Sequence, residues 1–478
     1  MFDFDLYIYP VPRQPANDVM PGKAYEGEGV DRVNGRGRER GGGRKGAGGG
    51  RKGEVSSFAF KTIKDRLPVI LSKIADTVYR SKVKVKEENG EDGLEDLKAI
   101  VGSISKLRNE VQTNKPVIPL VDDRSDTPVW NRYLTEVTER DQAPPKWFVS
   151  PWLYVECYMY RRIQEAVEKC KLLQKYDVFE DQKKKALMDS QDAVEVLFTY
   201  LKTIIHKVPS ASEDDITEYV TEFIQISLWG NKCDLSISAS QENAQTESIL
   251  DQLHHLAPNI LIDNTQQVLK RLREGLDVNQ DISIVLDNAG FELITDLCLA
   301  ELLLACGFTT VIRFHGKAMP WFVSDVTMRD FMWTLETLSE SGHEEMKYFG
   351  NLWKNRLTDG SWIINCHDFW TLPFDYSLMK NYAPDLHKLL SSSLITFFKG
   401  DLNYRKLVGD LSWNTTVKFE TSLRGFHPNP VCALRTCKAD VVVGLQEGQA
   451  DEVKVKDDSW MVNGNWAIIS YCGKVQPN

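Results

Sequence analysis

The chain has 478 residues, and at roughly 100–200 residues per domain this length predicts two domains. Apolar residues make up 42% and charged residues 26%, values ordinary for a globular protein, so a large hydrophobic core is possible. The formal charge of −10 argues against a chain that binds nucleic acid along its whole length.

The cysteines and the apolar runs indicate a cellular compartment. The nine cysteines are scattered without CxxC spacing, which predicts free thiols in a reducing environment rather than a disulfide framework. No apolar stretch approaches the ~18–20 residues of a membrane span. The first residues, Met1 to Asp5, lack the basic and then apolar pattern of a secretion signal. We therefore expect a cytoplasmic protein with no membrane partner.

Residues 1–54 differ in composition from the rest of the chain. Residues 35–53 are a run of Gly, Arg and Lys, which cannot bury enough apolar surface to offset the entropy of ordering. A disordered tail is the simpler interpretation. An RNA-binding Gly/Arg segment is the alternative, and the lack of aromatic residues between the arginines disfavours it.

Residues 55–245 show a helical pattern. Apolar residues recur at steps of three and four in five stretches, at 60–78, 94–111, 154–170, 193–206 and 216–228. The last stretch ends at Trp229-Gly230-Asn231, a typical helix stop. We predict a helical domain over this part of the chain.

Residues 246–478 alternate between short apolar runs and helical stretches. The runs that we predict as strands are 282–286, 310–314, 362–365, 394–398, 441–445 and 467–471. Helices are predicted between several of them, at 292–306, 327–338 and 404–411. This order is typical of an α/β domain with a mainly parallel sheet covered on both faces.

The most informative segment is the run from Ile282 into Asp287, Asn288 and Gly290. A buried strand leads directly into two hard oxygen ligands, and a helix follows. Ligands of open α/β sheets bind at the carboxyl ends of strands, and such oxygen ligands suit Mg²⁺ or Mn²⁺. The alternative is that Asp287 and Asn288 only cap the following helix.

A second predicted strand, 310–314, leads to Asp325, which is expected to reach the same metal as Asp287. The alternative is a cap for the helix that starts near residue 327. We interpret His315 as a structural residue rather than a ligand. Lys317 is either a phosphate contact or, as is commoner for a single lysine, a solvated surface charge.

Two further segments add polar and cationic groups. Asn403 and Arg405 follow the predicted strand 394–398 and suit sugar hydroxyls and phosphate, since the guanidinium fork matches phosphate oxygens. The alternative is a turn and a capped helix. Lys438, just before the predicted strand 441–445, would add a point charge. Two carboxylates, an amide and several cations together favour metal-assisted phosphoryl transfer to water.

The same segments resemble the damage-control phosphatases, in the subfamily marked by an Arg-Thr-x-Lys motif. That motif is Arg435-Thr436-Cys437-Lys438 here, and the resemblance runs from about residue 58 to the end. The other matching segments are 62–68, 157–162, 228–236, 285–293, 320–325 and 398–407. The resemblance implies a Rossmann-like α/β/α sandwich preceded by a helical domain.

It also implies a function and a set of site residues. Members hydrolyse phosphate esters with Mn²⁺, Co²⁺, Ni²⁺ or Mg²⁺, and fructose 1-phosphate and fructose 6-phosphate are typical substrates. By motif matching, Asp287, Asn288 and Asp325 are the implied metal ligands and catalytic residues, and they also contact the substrate. The other implied substrate contacts are Asp401, Leu402, Asn403, Tyr404, Arg405 and Lys438. Asn231 is a further candidate, with a helix cap as its alternative.

We expect a metal-activated water to attack phosphorus, with a nucleophilic Asp287 as the less expected variant. Two other functions stay open. The subfamily is also described as similar to an S-adenosylmethionine-dependent protein-glutamate carboxyl methyltransferase, although the turn after the predicted strand 282–286 has no Gly-x-Gly loop. A non-enzymatic metabolite sensor is the third interpretation.

Overall fold

A seven-stranded sheet organises the structure, a computed structural model that describes residues 58–230, 245–276, 278 and 280–473. The predicted tail of residues 1–54 lies outside the described residues. The strands are β1 (Ile260–Asp263), β2 (Ile282–Val285), β3 (Ile312–Gly316), β4 (Trp362–Cys366), β5 (Ile395–Lys399), β6 (Val431–Thr436) and β7 (Ala467–Cys472). Their spatial order is β1-β7-β6-β5-β2-β3-β4.

Every strand pair is parallel except β6 with β7. The predicted α/β class with a mainly parallel sheet is therefore confirmed. After β2 the chain adds β3 and β4 on one side, and then returns to place β5 on the other side. The carboxyl end of β2 is thus a topological switch point, where α/β proteins bind their ligands.

Helices cover both faces of the sheet. Those before β1 are α1 (Phe58–Lys61), α2 (Leu67–Arg80), α3 (Lys82–Gln112), α4 (Thr127–Asp141), α5 (Trp152–Glu168), α6 (Glu180–Met188), α7 (Gln191–Lys207), α8 (Glu213–Trp229) and α9 (Gln245–Leu256). A π-helical turn, Thr62–Arg66, joins α1 to α2. The later ones are α10 (Thr265–Glu274), α11 (Phe291–Ala305), α12 (Met328–Ser339), α13 (Glu344–Thr358), α14 (Met379–Tyr382), α15 (Pro384–Ser391), α16 (Gly400–Leu407), α17 (Phe419–Ser422) and α18 (Gln449–Lys456).

Alternate residues of the central strands enter two separate hydrophobic clusters. Ile284 of β2 and Phe397 of β5 pack with residues of α7, α8, α11 and α13. Val285 and Phe398, the next residues along, pack with residues of α2, α3 and α5. Because side chains of a strand alternate between faces, this division gives a three-layer α/β/α arrangement. The predicted division of the chain at residues 245 and 246 stays a prediction.

One predicted strand is wrong. Residues 441–445 form no strand, although they are apolar and buried. Their backbone is held by side chains instead, since Arg435 donates to the Val441 carbonyl and the Val443 N–H donates to the Tyr404 hydroxyl. The strand of this region is β6, which ends within the Arg-Thr-x-Lys motif and so precedes Lys438 rather than following it. Strand β1 was not predicted.

Candidate active site

Asp287 and Asn288 follow the end of β2 and line a small cavity of about 180 Å³. The cavity lies at the switch point of the sheet, and residues from several distant segments line it. Its lining comprises Arg66, Trp152, Glu156, Asp287, Asn288, Phe322, Ser324, Asp325, Asp401, Leu402, Arg405 and Lys438. Seven of the residues predicted from the sequence therefore meet here: Asp287, Asn288, Asp325, Asp401, Leu402, Arg405 and Lys438.

Asp325 reaches the cavity through a backbone bridge to the segment after β2. Residues 288 and 325 pair as an isolated antiparallel bridge, and the Val326 N–H donates to the Asp287 carbonyl at 2.8 Å. The turn before Asp325 holds Phe322 and Val323 at φ of 43° and 72°. A β-branched residue rarely adopts a positive φ, so the turn is strained. Phe322 stacks on Tyr160 of α5 at 4.6 Å between ring centroids, which helps to hold it.

Two carboxylates fix the orientation of the Asn288 amide. Its Nδ2 donates to Asp287 Oδ2 and to Glu292 Oε2, both at 2.8 Å. Asn288 Oδ1 accepts from the Ser324 hydroxyl. Because carboxylates only accept hydrogen bonds, the NH2 group of the amide must face them. The amide oxygen therefore remains to bind a cation or to accept from a donor. Glu292 was not predicted as a site residue, although it lies only four residues after Asn288.

Glu292 is itself part of a buried ionic network below the cavity. Lys399, at the end of β5, lies 2.9 Å from Asp296 and 3.7 Å from Glu292, and its side chain is 1% exposed. It also donates to the Ser227 carbonyl of α8. Burial, opposed by Lys399, raises the pKa of Asp296 to about 6. The network connects α8, α11 and β5, and Glu292 links it to Asn288.

Glycine at position 400 lets the Asp287 carboxylate approach the first turn of α16. Gly400 has φ of 82°, and a Cβ atom there would lie 1.8 Å from Asp287 Oδ2. No side chain fits at that distance. Gly400 also begins α16, so the positive end of this helix lies beside the carboxylate.

The two aspartates are buried next to each other without full neutralisation. Burial raises the pKa of Asp287 well above its ordinary value, and the charges of Asp325 and Glu292 raise it further. Burial also raises the pKa of Asp325 to about 6, against the opposing effect of Lys317. Among the described residues, none forms a hydrogen bond of good geometry with Asp325 Oδ2. The site therefore favours an additional positive charge.

Lys317 is buried beside Asp325 and does not lie at the protein surface. Its Nζ donates to the Leu286 carbonyl at 2.7 Å and lies 3.2 Å from Asp325 Oδ2, with 1% of the side chain exposed. The interpretation as a solvated surface charge is wrong. Lys317 lines a separate cavity of about 430 Å³. His315 is also buried, as expected of a structural residue, and burial lowers its pKa to about 3.

The Arg-Thr-x-Lys motif divides its two charged residues between different environments. Arg435 is buried, and its Nε donates to Asp401 Oδ1 at 2.8 Å. It lies over the Tyr404 ring at 4.3 Å and holds the Ala439 carbonyl at 2.9 Å. Lys438 is exposed at the cavity, and its backbone N–H donates to the same Asp401 oxygen at 3.1 Å. Arg435 thus orients Asp401, while the Lys438 charge is available to a ligand.

The remaining predicted residues of this segment differ in access to the cavity. Arg405 lines it but is held by Glu156 at 2.7 Å and Asp410 at 3.1 Å, and lies 3.7 Å over the Trp152 ring. Asn403 and Tyr404 are buried and do not belong to the described lining. Asn403 Nδ2 donates to the Lys399 carbonyl at 2.8 Å. Asn231 lies outside the described residues.

Five lining residues were not predicted, and they come from two places. Arg66, Trp152 and Glu156 belong to the helical part of the chain, where no strand end marks a site. Phe322 and Ser324 lie in the strained turn before Asp325. The sequence signal for Ser324 was its position next to Asp325. For Arg66 it was the segment 62–68, which carries the family resemblance.

The donor set suits a hard divalent cation. Among the described residues, no three Asp, Glu, His or Cys side chains form a group that could hold a metal. The two carboxylates and the Asn288 amide oxygen nevertheless match the way Mg²⁺ is bound, by one or two carboxylates together with waters and phosphate oxygens. Asp325 Oδ2, which accepts no hydrogen bond of good geometry from the described residues, and the repulsion between the two aspartates also fit a bound cation.

The fold and the site define an α/β/α protein with a buried acidic pair at the switch point of its sheet. Residues 62–453 match a model of the damage-control phosphatase ARMT1-like domain. A Xenopus laevis relative named damage-control phosphatase ARMT1 is 46% identical over 421 residues, which cover 86% of this chain and 96% of that protein. The Homo sapiens relative of that name is 43% identical and covers 88% of this chain and 97% of its own. The chain belongs to the damage-control phosphatase ARMT1-like family.

Family membership supports a phosphatase role in damage control. A solved DUF89 family protein from Pyrococcus horikoshii is similar over 78% of this chain and 97% of its own, at 12% identity and a TM-score of 0.38. Within the described residues, no helix has both the length and the apolar character needed to cross a bilayer.

Proposed function

We propose that this protein is a metal-dependent phosphoric monoester hydrolase that acts on small phosphate esters, in particular sugar phosphates such as fructose 1-phosphate and fructose 6-phosphate. The observation that carries the proposal is the arrangement of Asp287 and Asp325, two buried carboxylates beside an amide oxygen, with cationic residues at the same cavity. The carboxylates can neutralise a divalent cation, and the cationic residues can neutralise the phosphoryl group that this cation polarises.

Each element of the site has a proposed task. Asp287, Asn288 and Asp325 would hold a divalent cation, Mn²⁺, Co²⁺, Ni²⁺ or Mg²⁺, which when bound supplies water activation and charge neutralisation. Lys438 contributes a positive charge for the phosphoryl oxygens. The first residues of α16, Asp401 and Leu402, line the cavity, so the positive helix end also favours an anion. Asp401, oriented by Arg435, suits a sugar hydroxyl.

The size and charge of the cavity favour this reaction over methyl transfer to protein glutamate. The cavity of about 180 Å³ is smaller than the ~300–1,000 Å³ of sites for drug-sized ligands. A small metabolite suits that space better than a glutamate side chain together with a nucleoside methyl donor. The four acidic residues at the cavity, Glu156, Asp287, Asp325 and Asp401, would also repel a glutamate carboxylate. A phosphate ester with its cation is the complementary ligand.

A phosphate-release screen tests the proposal. Purified protein is incubated with a panel of sugar phosphates and p-nitrophenyl phosphate, each with Mn²⁺, Co²⁺, Ni²⁺ or Mg²⁺. We expect turnover that is lost with EDTA and restored by excess metal. Asp287→Ala and Asp325→Asn should lose it, whereas Asp214→Asn, an exposed carboxylate on α8, should keep it. Wild-type protein as inactive as Asp287→Ala with every ester and metal would refute the proposal.

A further inference from the structure

Arg66 contributes to the cavity from the helical part of the chain that precedes β1. It is the last residue of the π-helical turn Thr62–Arg66, and it lines the same cavity as Asp287 and Asp325. Single π-helical turns are rare and are frequent at functional sites. The residue is exposed at the side chain, while Ile63 and Leu67 on either side of it are buried against the core. The turn therefore fixes the backbone of Arg66 and leaves its guanidinium free to reach a ligand.

Arg66 and Arg405 are the two arginines of the cavity lining, and they differ in their ion pairs. The guanidinium of Arg405 is held by Glu156 and Asp410 and packs on Trp152. For Arg66, none of the described carboxylates lies within ion-pair distance. Burial raises the pKa of Glu156, and the charges of Arg405 and then Arg66 oppose that effect, so Arg66 contributes to the potential of the cavity.

The other cations near the cavity, Lys317 and Lys438, cannot bind two phosphoryl oxygens side by side. Lys317 is buried against Asp325 and the Leu286 carbonyl and does not belong to the described lining of this cavity. Lys438 is exposed at the cavity, but an ammonium group is a point charge. A guanidinium with unengaged N–H groups can instead bind two phosphoryl oxygens side by side.

We propose that Arg66 binds the phosphoryl group of the substrate. The helical part of the chain before β1 then supplies the guanidinium of the phosphate subsite. This proposal rests on the proposed function and extends it to a residue outside the α/β part of the chain. Phe322 and Trp152 also line the cavity and make part of its wall apolar. Charge-assisted hydrogen bonds are stronger beside such walls than in open water. The subsite should therefore prefer a phosphate dianion to a neutral group of the same size.

The test compares Arg66→Met and Arg66→Lys with Lys64→Met. Lys64 lies on the same π-helical turn, but its Nζ lies 5.8 Å over the Phe60 ring and it is not part of the described cavity lining. With the best ester and metal of the screen, Arg66→Met should lower kcat/KM about tenfold to hundredfold, since charged hydrogen bonds of this kind contribute that much. Arg66→Lys should recover part of the loss, and Lys64→Met should match wild type.

A second measurement makes the test independent of turnover. Binding of inorganic phosphate to the Mn²⁺-loaded protein is followed by calorimetry, and Arg66→Met should weaken it by a similar factor. Melting temperatures of all variants should match wild type, because Arg66 is exposed. Phosphate binding by Arg66→Met within twofold of wild type overturns the inference. Turnover by the wild type alongside that result would leave the proposed function standing, whereas an inactive wild type whose phosphate binding still depends on Arg66 would refute only the proposed function.

Discussion

Gly400 lies directly against the carboxylate of Asp287, with the site of a missing Cβ only 1.8 Å from Asp287 Oδ2. We expect Gly400→Ala to displace Asp287 and to reduce phosphatase activity at least about a hundredfold, because small displacements at a reacting centre have effects of that size. The positive φ of 82° adds backbone strain of about 1 kcal/mol or more. Steady-state kinetics and urea unfolding measure the two effects.

A matched control separates backbone strain from the contact with Asp287. Gly360 has φ of 81°, and an added Cβ there would meet nothing within 4 Å. Gly360→Ala should therefore lower the free energy of unfolding by a similar strain contribution and leave kcat/KM unchanged. Equal activity losses in the two variants would show that the approach of Gly400 to Asp287 has no role in catalysis.

Lys183 and Asp330 join α6 to the first turn of α12, which follows Asp325 in the chain. Lys183 Nζ lies 2.6 Å from both Asp177 and Asp330, and its side chain is 3% exposed. Lys183→Met would leave two buried carboxylates without their cationic partner, so we expect it to lower the free energy of unfolding by about 3–5 kcal/mol. Lys185→Met, which removes an exposed pair with Asp189, should change it by less than about 1 kcal/mol. Similar values from urea denaturation would contradict this assignment.

The short apolar runs of the sequence predicted five of the seven strands, namely β2, β3, β4, β5 and β7. β2 and β5 are buried along their whole length, as such runs in parallel sheets indicate. β6 and residues 441–445 could not be told apart this way. Both contain several apolar residues. They differ because the side chains of Arg435 and Tyr404 form hydrogen bonds with the backbone of residues 441 and 443, in place of a neighbouring strand. β1 has only four residues and a partly exposed surface.

The candidate site was also predictable only in part from the sequence. Asp287, Asn288 and Asp325 follow strands in the sequence, and the rule for strand ends applies to them directly. Arg66 and Glu156 lie on the helical elements, and their approach to the cavity depends on how helices pack across the sheet. Arg435 belongs to a motif that is visible in the sequence, but its burial against Asp401 follows only from the tertiary structure. Local sequence patterns therefore predict site residues that follow strands better than site residues that the N-terminal helices contribute.

Arg435 and Lys438 share one motif, and their variants should have different effects. Arg435→Lys should lower the free energy of unfolding by about 2–4 kcal/mol, because one ammonium cannot replace the contacts to Asp401 and the Ala439 and Val441 carbonyls. Lys438→Met should reduce kcat/KM about tenfold or more and leave the melting temperature unchanged, since Lys438 is exposed. Calorimetric melting and kinetics of both variants distinguish the two roles. A destabilised but fully active Lys438→Met would contradict the assignment.

His315 should make the fold sensitive to acid. The ring is buried, with Nε2 3.3 Å from the Ser283 hydroxyl and an edge-to-face contact with Trp370, and burial lowers its pKa to about 3 from an ordinary 6.5. Between these values the unfolded chain binds a proton that the folded chain does not bind. The stabilisation from neutral His315 is therefore present above pH 6.5 and is lost as the pH falls towards 3. His315→Gln removes this proton uptake, so its unfolding free energy should fall less steeply between about pH 6 and pH 4, by up to about 1.4 kcal/mol per pH unit. Urea titrations at several pH values measure the two slopes, and parallel slopes would mean that His315 does not titrate differently in the folded and unfolded chains.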